Sequence, residues 1–296
     1  MDILKDTIDR LKFLYKSQGL LAGSISKIAI KPQWNVIFGS NGQCGHALNF
    51  TGIHDLYEKD GEGIPGLKAL IGVDLFTVAE ANLKSDDIIK RSISAACINA
   101  LSQPLLNPDL AGKRDVKIHH WHDFHWDKSR GISLRHFIRP DDIAVIVGYG
   151  GMASRIARLS RELHVTELRP KKTFQSLIIS DDIAYGPEKI QIHPAEENEA
   201  VLKKADFIMI TASSLVNNTF NELLSYSKNA RYVGLYGPGA SMIPDVLFEK
   251  GLHFTVSWRL IDQKKYEEAM VDALDMEASL KETQEGYIAS APDIIV

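Results

Sequence analysis

The sequence predicts an α/β protein in which a small α+β domain (1–139) precedes a doubly wound parallel sheet (140–296). Three observations carry this. From Asp141 onward, short β-rich apolar runs alternate with helical patterns of ten or more residues, which is how right-handed βαβ units are written. Before Pro104 there is no such alternation: one helix, three short strands and then a long helical segment follow each other. A length of 296 residues suits two domains, each large enough to bury its own core.

In chain order, the first element is an amphipathic helix over 2–18, with Ile3, Leu4, Ile8, Leu11, Leu14 and Tyr15 at helical spacing and Gly19 placed to stop it. Apolar runs at 25–30, 34–38 and 44–50 are separated by Lys-Pro-Gln and Gly-Ser-Asn-Gly-Gln, so they predict a small antiparallel meander. A loop at 61–66 and an alanine- and isoleucine-rich helical segment to about residue 106 complete the domain. In the second domain strands are expected at 143–147, 164–167, 190–193, 207–211, 231–236 and 253–258. Between the first two, Met152, Ile156, Leu159 and Leu163 form one apolar helix face.

Composition bounds the function. With 34 basic and 38 acidic side chains the net charge is −4, so no global field draws nucleic acid or an anionic membrane, and any anion site must be local. The N-terminal stretch is interrupted by charges where a signal peptide needs an apolar run, and no segment reaches the roughly 18 apolar residues of a membrane span. Cys44 and Cys97 lie far apart and read as small core hydrophobes in a reduced, cytoplasmic protein.

Chemistry is expected at three strand ends. Val-Gly-Tyr-Gly-Gly-Met-Ala at 147–153 follows an apolar run and opens a helix, the context of a G-x-G-x-x-A turn. Gly148, Tyr149, Gly150 and Gly151 would bring backbone N–H groups and a helix N-terminus to an anion, and Glu167 stands where a ribose-binding acid belongs. In a doubly wound sheet the first and fourth strands are neighbours at the switch point, so two further turns should converge there. One carries Thr211, Ser213 and Asn217; the other carries Gly237, Pro238 and Ser241. There is no G-x-S-x-G elbow, no Walker lysine and no His-Glu-x-x-His. Ile146 and Val147 stand where a methyltransferase would carry an acid before its first glycine.

Five short segments in fixed order bear a resemblance. They are Arg-Ser-Ile-Ser-Ala-Ala-Cys-Ile-Asn-Ala at 91–100, the turn at 147–152, Glu-Leu-Arg-Pro at 167–170, Ile-Thr-Ala-Ser-Ser-Leu-Val-Asn-Asn-Thr at 210–219 and Gly-Pro-Gly-Ala-Ser-Met-Ile-Pro-Asp at 237–245. Over 34–262 the chain resembles a family of uncharacterised proteins grouped under heavy-metal chelation. The resemblance implies an enolase-N-terminal-like domain followed by a Rossmann-like domain, with a site in the cleft between them. Family members usually show Thr-Gly-Ser-Thr where this chain has Thr211-Ala-Ser-Ser, and Gly-Pro-Ser where it has Gly237-Pro-Gly.

The stretch 118–127 packs four histidines into ten residues. His119, His120, His122 and His125 are the candidate metal ligands, of a softness that suits nickel, zinc or copper, against the alternative of a solvated loop between the domains. Asn99, on an apolar helix, either lines the cleft or makes a structural hydrogen bond. The expected function is binding of a small anionic molecule or metal chelate in the cleft, with enzymatic activity and oligomerisation both open. The alternatives are a nucleotide-dependent enzyme, using the dinucleotide NAD(H) ahead of S-adenosylmethionine, and a carrier of a divalent transition metal.

Overall fold

The computed structural model describes residues 2–30, 34–50, 66–121, 131–272 and 282–294. Helix α1 (Ile3–Gln18) starts where the Asp2 carboxylate accepts from the Leu4 N–H at 3.0 Å. It ends at Gly19, whose φ of +64° is a left-handed cap that glycine adopts without strain. Strands β1 (Ile25–Ile30), β2 (Trp34–Gly39) and β3 (Cys44–Leu48) form the meander, paired antiparallel in sequence order. Helix α2 (Leu75–Leu83) packs on α3 (Ile88–Ser102), which lies against the meander, and the short α4 (Pro108–Gly112) follows. Every residue of α3 from Arg91 to Ser102 is buried, and its run of Ser, Ala and Cys side chains is small enough to let β3 lie close. Cys44 and Cys97 are buried free thiols.

The second sheet has eight strands. They are β4 (Lys117–His120), β5 (Ile143–Val147), β6 (Glu162–Glu167), β7 (Ile190–Pro194), β8 (Phe207–Thr211), β9 (Tyr232–Tyr236), β10 (Phe254–Leu260) and β11 (Gln284–Ser290), in the order β4-β11-β10-β9-β8-β5-β6-β7. Strands β5 to β10 run parallel, while β11 is antiparallel to both β10 and β4. The six expected strands are all present, and β5 and β8 are neighbours at the switch point. One detail differs. Helix α5 (Met152–Leu159) stops at Ser160, whose hydroxyl donates back to the Ile156 carbonyl, so Leu163 belongs to β6 and not to the helix face. The sheet also takes its edge strand β4 from before residue 140 and ends in β11, a strand not expected from the sequence.

Side chains alternate across the sheet. Val145, Ile208, Ile210, Val233 and Leu235 join one core with α1, α3 and the short helices after β8. Ala144, Ile146, Phe207, Met209 and Val256 face the other way, into a core shared with α5. The elements α1 and α3 therefore pack on one sheet face through continuous apolar contact. Among the described residues no helix is long and apolar enough to cross a membrane.

Candidate functional site

The turn between β5 and α5 is shaped by Gly148. Its φ is +92°, and an added Cβ would come within 3.2 Å of the Thr211 side chain, so glycine lets the β5 turn meet the end of β8. The Tyr236 hydroxyl, at the end of β9, donates to the Gly148 carbonyl at 2.7 Å and ties three strand ends together. Burial pushes the Tyr236 pKa up, keeping it a neutral donor. Gly150 and Gly151 differ from Gly148: a Cβ at either would meet nothing within 4 Å. No side chain caps α5 at Gly151.

Glu167, at the end of β6, braces this turn from within. One carboxylate oxygen accepts from the Tyr149 N–H at 2.7 Å and from the Arg169 guanidinium at 2.7 Å; the other accepts from the Arg169 N–H at 2.8 Å. Arg169 also donates to the Tyr149 carbonyl at 2.6 Å. Burial pushes the Glu167 carboxyl up, yet the hydrogen bond and charge of Arg169, with the two backbone N–H groups, outweigh it and hold the group below its usual value. The expectation of a free hydroxyl acceptor is therefore met by a carboxylate already engaged on both oxygens. Tyr149 itself is pinned: its ring stacks on Phe174 at 5.2 Å and its hydroxyl donates to Asp181 at 2.6 Å.

These turns open into a cavity of about 980 Å³ between the small domain and the strand ends. Gly148, Tyr149, Gly150, Gly151, Glu167, Thr211, Ser213, Asn217, Gly237 and Pro238 all line it, so ten of the expected site residues converge. Asn217 also shapes its own turn, its side-chain oxygen accepting from the Thr219 N–H and hydroxyl at 3.2 and 2.8 Å. Two expected residues do not line the cavity. The Ser241 hydroxyl turns inward to the Pro238 carbonyl at 2.9 Å. Asn99 is fully buried in the seam, donating to the His46 carbonyl at 2.7 Å and the Gly239 carbonyl at 3.2 Å, and so fastens α3 to the β9 turn.

The structure adds wall residues that sequence reasoning passed over. Trp34 on β2, Trp121 after β4 and Trp258 on β10 come from three separate elements, and nothing in a linear reading links them. Thr166 is a strand residue with a buried hydroxyl that has no hydrogen-bond partner among the described residues. Arg155, one turn into α5, lies over the Trp121 ring at 5.0 Å. An Arg four residues after the last glycine of the turn was the one signal available beforehand.

Positions 212 and 239, where the resemblance implies Gly and Ser, meet in one contact. A Cβ on Gly239 would stand 3.2 Å from the Cβ of Ala212. A chain with Gly at 212 and Ser at 239 keeps the same space filled from the other side. Gly239→Ser alone is expected to cost about 1–3 kcal/mol through overpacking. Adding Ala212→Gly should recover part of that loss, a coupling visible in a urea-denaturation double-mutant cycle. Strictly additive losses would show that the contact does not link the two positions.

Of the histidine stretch, His122 and His125 lie outside the described residues. His119 and His120 sit on β4, paired with β11, and as consecutive strand residues they project to opposite faces. The His119 ring meets the Ser290 hydroxyl at 3.2 Å; the His120 ring meets Glu285 at 3.1 Å. This part of the stretch is an edge strand, which its β-branched and aromatic neighbours Ile118 and Trp121 favour. Among the described residues no group of three or more His, Cys, Asp or Glu is arranged to hold a metal.

Residues 132–288 match the family model DUF364 and residues 17–102 match DUF4213, both described as "Putative heavy-metal chelation". An uncharacterized protein of Methanocaldococcus jannaschii is 25% identical over 185 residues, 61% of this chain and 59% of that relative. The chain thus spans about three fifths of the length of the curated relative it matches. Two crystal structures of DUF364 proteins with unknown function share the fold. One, from Desulfitobacterium hafniense, has a TM-score of 0.65 at 19% identity, covering 96% of this chain and 98% of that one. The other, from Pyrococcus horikoshii, has a TM-score of 0.66 at 17% identity, covering 97% and 98%.

Proposed function

The chain belongs to the DUF364 family, and from that premise we propose that it binds a small anionic organic molecule, a metal chelator or its precursor, in the cavity over the strand ends. The observation that carries this reading is the open space above Gly150 and Gly151, at the uncapped start of α5. Backbone N–H groups and the positive end of the helix dipole there suit a carboxylate or phosphate group. Thr211 and Ser213 add hydroxyls, while Trp34, Trp121 and Trp258 supply apolar wall. That mixture, in a volume near the upper end for small-molecule sites, fits an organic ligand with an anionic end better than a bare ion. The dinucleotide alternative asks Glu167 to accept from a ribose, and its oxygens already accept from the turn.

Gly150→Val tests the reading. The backbone there does not need glycine and the new side chain meets open space, so the variant is expected to fold and melt near the wild type. The probes are a panel of dicarboxylates, nucleotides, dinucleotides, flavins and pterins, read by thermal shift. A true ligand at about a hundred times its dissociation constant adds roughly 2.7 kcal/mol of stability. Trp34, Trp121 and Trp258 line the cavity, so occupancy should also change intrinsic fluorescence. Both signals are expected to vanish in Gly150→Val. A probe that binds the variant as well as the wild type would place the site elsewhere.

A further inference from the structure

At the far edge of the large sheet, β6 and β7 bring two histidines together. Nδ1 of His164 stands 2.9 Å from Nε2 of His193. The ring centroids are 5.1 Å apart and the planes differ by 26°, so the rings meet edge to edge with those nitrogens facing. The other nitrogen of His193, Nδ1, lies 2.9 Å from a carboxylate oxygen of Glu197. An ionised carboxylate only accepts, so Nδ1 of His193 carries the proton and its Nε2 presents a lone pair. The proton between the rings then belongs to Nδ1 of His164. A carboxylate holding the back nitrogen of an imidazole is the arrangement that orients metal-binding histidines.

The pair is reachable. The His193 side chain is 22% exposed and that of Glu197 52%, so solvent can complete a coordination shell. His164 shares its strand face with Thr166, two residues on, and Thr166 is the register partner of His193 and a wall of the cavity. The charges flanking His164 are of both signs, Glu162 and Lys204.

We propose that His164 and His193 form a binding site for a divalent transition metal, with Nδ1 of His164 and Nε2 of His193 as ligands, Glu197 holding His193 in place and water filling the remaining positions. Imidazole nitrogens suit copper, nickel and zinc. Two nitrogens each about 2.0–2.1 Å from a tetrahedral ion stand about 3.3 Å apart, so the nitrogens part by a few tenths of an ångström while each ring turns to aim its lone pair at the ion. The proton leaves Nδ1 of His164 and is replaced at Nε2 of the same ring. Both imidazoles stay neutral, two lone pairs go to the metal and no other bond changes. The site is independent of the cavity ligand proposed above.

Copper(II) titrated into the full chain, followed by calorimetry and electron paramagnetic resonance, tests this. The expected result is one equivalent with hyperfine structure from two nitrogens. His164→Gln and His193→Gln should each remove that equivalent while circular dichroism stays native, and Glu197→Gln should weaken it 10- to 100-fold. His119 and His120 lie on β4, at the opposite edge of the sheet. Changing His119, His120, His122 and His125 together to Ala should therefore leave the equivalent intact. Binding that survives in both glutamine variants, binding lost only in the quadruple alanine variant, or no stoichiometric binding by the wild type would overturn the proposal.

Discussion

Gly45→Ala is expected to destabilise the protein by about 3 kcal/mol or more, at or beyond the upper end of ordinary overpacking losses. A Cβ there would stand 2.0 Å from the Ala96 carbonyl oxygen and 2.3 Å from the Ala100 nitrogen, both backbone atoms of α3. Side chains can rotate away from a new methyl group; a buried helix backbone cannot. Relief would require α3 to slide, and α3 also holds the seam through Asn99 to the Gly239 carbonyl and through Arg91 to the Val216 carbonyl at 2.9 Å. Gly112→Ala is the control, since a Cβ there meets nothing and the backbone is helical. The comparison is the urea midpoint of the two variants. A Gly45→Ala midpoint equal to that of the control would mean that β3 and α3 do not lie in backbone contact.

Glu167→Ala is expected to cost about 3 kcal/mol, the scale for removing one partner of a largely buried ion pair. The Glu167 side chain is 5% exposed and that of Arg169 32%, so the guanidinium left behind keeps some access to water. The Tyr149 N–H loses its acceptor at the same time. The same brace makes stability depend on acid. Glu167 binds its proton more weakly in the folded protein than in the unfolded chain, whose carboxyl titrates near the ordinary 4.5. Its contribution is therefore whole above that pH and is lost as pH falls through the lower folded value. Urea midpoints taken from pH 6 down to pH 3 should fall for the wild type and less steeply for Glu167→Gln. Parallel curves would remove Glu167 from the acid dependence.

The consequence for function is that the turn proposed to take the anion is pre-built. Tyr149 and Arg169 are held by Glu167, and Gly148 by Thr166 and Tyr236, before any ligand arrives. A rigid turn loses little conformational freedom on binding, which leaves more of the interaction energy as affinity. Gly150 and Gly151 remain the open side of the turn.

Much of this was legible in the sequence, and for stated reasons. Periodicity and turn chemistry are local, so the first helix with its Gly19 stop, the meander and the six parallel strands could all be read from neighbours within a few residues. The convergence of the 147–153, 211–217 and 237–238 segments followed from topology, because a doubly wound sheet puts the ends of its first and fourth strands side by side. What a side chain does inside that framework depends on partners far away in the chain, and there only the tertiary structure could decide. Glu167 has the position of a ribose acceptor, but Arg169 and the Tyr149 N–H take its oxygens. Asn99 and Ser241 have the chemistry of ligand contacts, but one fastens a seam and the other closes its own turn. The density of histidines at 118–127 drew attention to metal binding, yet two of them are consecutive on an edge strand and cannot share a face. His164 and His193 stand 29 residues apart with no common motif, and only the parallel pairing of β6 with β7 sets their nitrogens 2.9 Å from each other.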